Sequence, residues 1–112
     1  MEIIRDPEIQ ITCQVLQEWL KEKPMLLLLD VRENWELDIC KMPGAVHIPL
    51  GNLPTRFEEL PKDRSIVVFC HHGMRSLKGA AFLRAQGLSQ AVSLSGGIDK
   101  WAREVDSSLK TY

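Results

Sequence analysis

The chain has no apolar run that could cross a membrane. Its longest, Met25 to Leu29, falls far short of the roughly 20 residues a spanning helix needs. It also lacks any Lys/Arg block or basic stretch interleaved with aromatics, and 14 basic against 15 acidic residues leave a net charge of -1. That balance carries no electrostatic footprint for nucleic acid. Cysteine is sparse: Cys13, Cys40 and Cys70 form no C-x-x-C pair. An odd number so spaced suits a reducing cytoplasm better than a disulfide framework. The opening Met1 to Glu8 shows neither the basic nor the apolar region of a signal peptide, which again makes the cytoplasm the expected compartment. No low-complexity linker divides the 112 residues, enough for one core and too few for two.

What is present is an alternation of short apolar runs with helix-like stretches. Thr12 is placed to cap a helix whose apolar face would use Val15, Leu16, Trp19 and Leu20, ended by Lys23-Pro24. Met25 to Val31 read as a strand buried on both faces. Glu33 to Cys40 suit a short helix, Pro43-Gly44 a turn, Ala45 to Ile48 a short strand, and Leu53 to Leu60 another helix. Strand Ile66 to Phe69, helix Leu77 to Ala85, strand Ala91 to Leu94 and a last helix around Ile98 to Val105 complete the series. Such alternation specifies an α/β fold: a largely parallel central sheet with helices on both faces, and ligands bound beyond the carboxyl ends of the strands.

Cys70 stands at such an end, where Ile66-Val67-Val68-Phe69 gives way to His71-His72-Gly73-Met74-Arg75-Ser76 and a helix. A strand-to-helix turn aims backbone N-H groups and the positive end of a helix dipole at one point. A thiolate is an anion that such a point favours, and its free pKa of about 8.5 falls beside a helix N-terminus and a cation such as Arg75. Asp30 and Arg32 also lie at a predicted strand end. Their most economical role is to orient backbone and pair with other charges. Cys13 and Cys40 lack a comparable loop and read as small buried hydrophobes. Cys-His-His in immediate succession lacks the spacing of zinc ligands, so no metal is expected.

Several stretches together resemble the rhodanese family of sulfurtransferases in its single-domain form, across most of the chain. Asp30-Val31-Arg32 with Glu36 is similar to the D-V-R-x-x-x-E signature, Pro43-Gly44-Ala45 with Ile48-Pro49 to P-G-A-x-x-I-P, Cys70 to Arg75 to the active-site loop C-x-x-G-x-R, and Gly96-Gly97 with Trp101 to G-G-x-x-x-W. The resemblance implies that residues 1–112 form one rhodanese-like domain, a transferase working without cofactor. Its Cys70 would take sulfane sulfur from a donor such as thiosulfate, become a persulfide, and pass the sulfur to cyanide or a thiol. It further implies that His71, His72, Gly73, Met74, Arg75 and Ser76 bind the substrate, partly through backbone N-H groups, while Asp30 and Arg32 support the loop. Ser76 would cap the following helix. Arg75 has two roles open to it, gripping an anionic donor or pairing with an acid to brace the loop.

Departures from the family pattern bear on the partner. Where some relatives have a cation after the cysteine, His71 makes uptake of dianionic thiosulfate depend on protonation near pH 6.5. Cys40-Lys41-Met42 replaces the common G-H-I, and Met74 makes the loop rim apolar, as suits a thiol or protein acceptor. A second reading is therefore a relay module that takes sulfur from a donor protein and hands it to an acceptor protein. Phosphatases and arsenate reductases of related fold are disfavoured, because C-x5-R needs arginine six positions after cysteine and Arg75 is five after Cys70.

Overall fold

The computed structural model of the protein describes residues 9–112. Five strands, β1 (Gln10–Ile11), β2 (Leu27–Asp30), β3 (Val46–His47), β4 (Ile66–Phe69) and β5 (Ala91–Leu94), form one sheet in the order β1-β5-β4-β2-β3. All four pairings are parallel, with Leu29 opposite Val68 and Asp30 opposite Phe69. Parallel neighbours cannot be joined by tight hairpins, so each connection crosses a face and carries helix with it. Those helices are α1 (Cys13–Glu22), α2 (Asn34–Leu37), α3 (Leu53–Arg56) and α4 (Met74–Ala85), and α5 (Gly97–Glu104) follows the last strand.

Strand β4 lies at the centre because all four of its side chains are apolar and both faces of the sheet are covered there. Its period-two alternation sends Val67 and Phe69 into one cluster with Leu28, Leu94, Leu16 of α1 and Ile98 of α5. Ile66 and Val68 point the other way, to Leu29, Leu53 of α3 and Leu83 of α4. Helices thus cover both faces, and the sheet delivers β2 and β4 side by side to the end where Asp30 and Cys70 emerge.

Several elements differ from the sequence reading in extent. Only Cys13 and Leu16 of α1 are buried, with Trp19 packed beside them, while Val15 and Leu20 are exposed. The helix meets the core through a narrow stripe spaced by three residues, not through the broader face that apolarity alone suggests. Strand β2 starts at Leu27 because Lys23 closes α1 through its N-H to Trp19 O, and the chain then turns at Pro24-Met25, leaving Met25 exposed. The segment 53–60 is not one helix. Turns of 3₁₀ type at Leu50–Asn52 and Phe57–Glu59 flank the short α3, which Pro54 opens and the non-helical Arg56 (ψ 0°) ends. Gln10–Ile11 is an edge strand on β5, too short to show any periodicity in the sequence.

Candidate active site

Cys70 follows β4 directly and is 1% exposed. Past Phe69 the chain must turn back to start α4 within four residues. Gly73 makes that possible with φ +111°, in the left-handed region that favours glycine. A Cβ there would stand 3.2 Å from Gly96 N and 3.4 Å from Leu94 O, so the position excludes side chains on two grounds. The turn brings two N-H groups onto the sulfur: Gly73 N lies 3.1 Å and Ser76 N 3.3 Å from Cys70 Sγ. Helices normally satisfy their first N-H groups with a side-chain cap, and α4 has none. The cysteine sulfur takes that place, so the orphan donors and the positive dipole end of α4 both act on it.

A second helix start seats the loop from behind. Ile98 N donates to Cys70 O at 2.8 Å and Asp99 N to His71 O at 3.0 Å. The approach is so close that a Cβ on Gly97 would collide with those two carbonyls. This is the physical reason for glycine at 97, whereas Gly96 serves the left-handed φ of +84° at the cap of α5. Helix α4 therefore addresses the sulfur while α5 holds the backbone that carries it.

Ser76 is not the helix cap. Gly73 occupies that position, and Ser76 lies in the first turn, fully buried, its hydroxyl 3.5 Å from Sγ, 3.1 Å from Gly73 O and 2.7 Å from the hydroxyl of Ser93 on β5. When Ser93 donates to Ser76, the Ser76 proton is free to turn from Gly73 O to an anionic sulfur. Ser93 was not singled out from the sequence, since a serine inside an apolar strand carries no motif.

Arg75 turns away from the sulfur to Glu36 of α2. Its Nη1 and Nη2 donate to the two carboxylate oxygens at 2.6 and 2.8 Å in a fork-to-fork pair. Glu36 is 2% exposed and also accepts from Glu33 N at 2.9 Å in a capping box. The Arg75 guanidinium holds its carboxyl down at about 2, against the opposing effect of burial, and the Arg75 pKa is raised in turn. Asp30 and Arg32 form the pair beneath. Arg32 is wholly buried and donates to both Asp30 oxygens, to the carbonyls of Glu36 and Cys40, and to the Tyr112 hydroxyl. The pair knits the β2 end to α2 and does not line the cleft at Cys70.

That cleft, about 180 Å³, is lined by Cys70, His71, His72, Met74 and Arg75. Met74 is 76% exposed and His72 also stands in solvent. His71 does not behave as the ready cation imagined from the sequence. Burial first, then the neighbouring His72, lower its pKa, so the neutral ring is favoured at neutral pH. Its imidazole is sandwiched between His72, at 3.8 Å, and Tyr112, parallel within 5° at 3.7 Å. Tyr112 is, after Ser93, a second neighbour of the site that sequence reading missed. It falls 36 positions beyond Ser76 and belongs to no motif.

His71, His72 and Asp99 bring three potential ligand atoms within 4.8 Å of one another. Two imidazoles that share an ion each direct an in-plane lone pair at it. Rings stacked with only 29° between their planes do not converge in that way, so His72 would have to swing out for an ion to bind.

Residues 12–104 match the Rhodanese-like domain family. A sulfurtransferase of Allochromatium vinosum is 36% identical over 94 residues, covering 84% of this chain and 88% of that protein. An adenylyltransferase and sulfurtransferase of Arabidopsis thaliana is 31% identical, covering 94% of this chain and 26% of the plant protein. The solved structure of a rhodanese-related protein from Thermoplasma volcanium superposes with a TM-score of 0.78 at 33% identity, over 86% of this chain and 92% of that one. Sequence match, shared fold and a cysteine sulfur that accepts two N-H groups at the head of α4 agree: this chain belongs to the rhodanese-like family.

Proposed function

We propose that the protein is a sulfurtransferase that carries sulfane sulfur on Cys70. One observation bears most of the weight: a buried cysteine sulfur accepts N-H groups from Gly73 and Ser76 in place of a helix cap. Those dipoles are fixed before reaction, so they stabilise negative charge on sulfur without reorganisation. In the first step the Cys70 thiolate attacks the outer sulfur of a donor. With thiosulfate the S-S bond of the donor breaks, a Cys70 Sγ-S bond forms, and sulfite departs with the electron pair. In the second step cyanide or a thiolate attacks the terminal sulfur, which leaves as thiocyanate or a new persulfide and returns Cys70 as thiolate. The Ser76 hydroxyl, relayed from Ser93, is placed to donate to either anion.

The exposed Met74 and the 61% exposed Trp35 favour a second reading, in which donor and acceptor are proteins. No helix among the described residues is long and apolar enough to cross a membrane, and three free cysteines fit the cytoplasm proposed from the sequence. Intact-mass measurement tests the proposal. Incubation with thiosulfate or a persulfide-loaded cysteine desulfurase should add one sulfur atom that cyanide removes, and Cys70→Ser should gain none. A wild-type protein that stays unlabelled with both donors, or a serine variant that labels equally, overturns it. An aryl phosphate should not be hydrolysed, and Cys70-dependent turnover would restore the phosphatase reading.

A further inference from the structure

Three side chains of the cleft lining could clamp an anionic donor, Arg75, His71 and the solvent-exposed His72, and the first two are engaged elsewhere. Arg75 gives two N-H groups to Glu36. His71 is half-buried, stacked between two rings. One side chain reaches both arrangements. The Tyr112 hydroxyl donates to Glu36 Oε2 at 2.8 Å and accepts from Arg32 Nη1 at 3.0 Å, while its ring lies flat on His71.

The hydrogen-bond count at Glu36 shows what the hydroxyl does. Oε1 accepts from Arg75 and from Glu33 N; Oε2 accepts from Arg75 and from Tyr112. A carboxylate so satisfied stays ionised and keeps its arginine. Without the hydroxyl, Oε2 loses a donor and Arg32 Nη1 an acceptor, and the carboxylate is freer to move toward Arg32. The ring has a separate effect. It covers one face of His71, whose Nε2 is buried without a hydrogen-bond partner, and so keeps water from the imidazole. Asp99 also lies beside the loop, with one oxygen 3.1 Å from Arg103 Nε and 3.9 Å from His72 Nε2 and the other buried and unpaired. A dianion approaching a Cys70 thiolate thus meets no uncommitted arginine in the cleft lining and a carboxylate behind it.

We propose that Tyr112 sets donor specificity at Cys70: by tying Glu36 to Arg32 and lying on His71, it withholds Arg75 and His71 from an anionic donor and leaves it only the solvent-exposed His72. The site then takes sulfur from thiol persulfides in preference to the thiosulfate dianion. The proposal rests on the reading of Cys70 as a sulfur carrier. The step it favours is attack of the Cys70 thiolate on the terminal sulfur of R-S-SH. The donor S-S bond breaks, Cys70-S-SH forms, and R-S⁻ leaves with the electron pair, so no oxidant or reductant is needed. Tyr112 touches none of the reacting atoms in this step and is a positioning residue.

Steady-state kinetics with thiosulfate, glutathione persulfide and a persulfide-loaded cysteine desulfurase test it, the last two separating a small-molecule from a protein source. In the wild type, kcat/KM for at least one persulfide should exceed that for thiosulfate by about tenfold or more. Tyr112→Ala, which releases both Glu36 and His71, should narrow that ratio by about fivefold, mainly through a lower KM for thiosulfate. Tyr112→Phe keeps the stack and loses only the hydroxyl bonds, so its ratio should fall between the two, and it carries the test if the alanine variant does not fold. A wild type that uses thiosulfate as well as either persulfide overturns the proposal. So do variants whose rates with all donors fall in proportion, the signature of a purely structural role. If no donor loads Cys70, the sulfur-carrier reading itself fails; if donors load but the ratio is indifferent to Tyr112, the specificity proposal alone fails.

Discussion

Helices α1 and α4 both begin beside a cysteine that is 1% exposed, yet the two starts are chemically opposite. At α1, Thr12 caps the helix, its hydroxyl accepting from Val15 N at 3.2 Å. Cys13 then packs among apolar neighbours, and burial first, then the Glu104 charge, push its thiol pKa up against the opposing effect of Lys100. At α4 the cap position is a glycine with no side chain to offer, and the first N-H groups fall to Cys70 Sγ. Burial of a cysteine near a helix N-terminus therefore does not make it a nucleophile. What matters is whether another group has already taken the N-H donors.

The sharpest way to break this comparison is to exchange the roles of the cysteines. Cys70→Ser should abolish sulfur loading, whereas Cys13→Ala should leave it intact, as read by intact mass. Loading lost equally in both variants would mean that the α4 donors are not what distinguishes Cys70. Next in size is Gly73→Ala, which forces a left-handed position onto a residue with a Cβ. It should cost about 1–3 kcal/mol in denaturant unfolding and depress loading as the N-H groups leave the sulfur.

Acid titration probes the brace of the α4 loop, which α1 lacks. Glu36 has a folded-state pKa of about 2 against an ordinary 4.5, so its contribution is complete above pH 4.5 and is lost as pH falls toward 2. Glu36→Gln should flatten the stability-pH curve in that window by roughly 2 kcal/mol, allowing for the partial exposure of Arg75. An unchanged slope would show that the pair does not brace the loop. Thr12→Ala should have the smallest effect, about 1 kcal/mol of stability with loading kinetics unchanged. A loading defect in that variant would show that the α1 cap matters to chemistry after all.

Much of the fold was legible because its signals are local. The β-branched run Ile66–Phe69 and the run Ala91–Leu94 appear as strands at the bounds read from sequence, and the spacing of Cys70, Gly73 and Arg75 marked the loop. The start of α4 was read three residues late. Met74-Arg75-Ser76 look like loop until the Gly73 turn is seen to begin the helix. For His71 the sequence ties thiosulfate uptake to protonation near pH 6.5; burial, which the fold sets, and then the stacked His72 lower its pKa, against Tyr112 and Asp99, which raise it.

The sequence by itself determined an alternating α/β architecture and the placement of one cysteine between a buried strand and a helix, because both follow from periodicity and short spacings. Tertiary structure decided the rest. It turned Arg75 to Glu36, joined Ser76 to Ser93 and laid Tyr112 on His71, since each depends on which distant groups the parallel sheet brings to its carboxyl end. Charge and spacing along a chain reveal which residues can bond. Only the fold determines which of them are already bonded to one another.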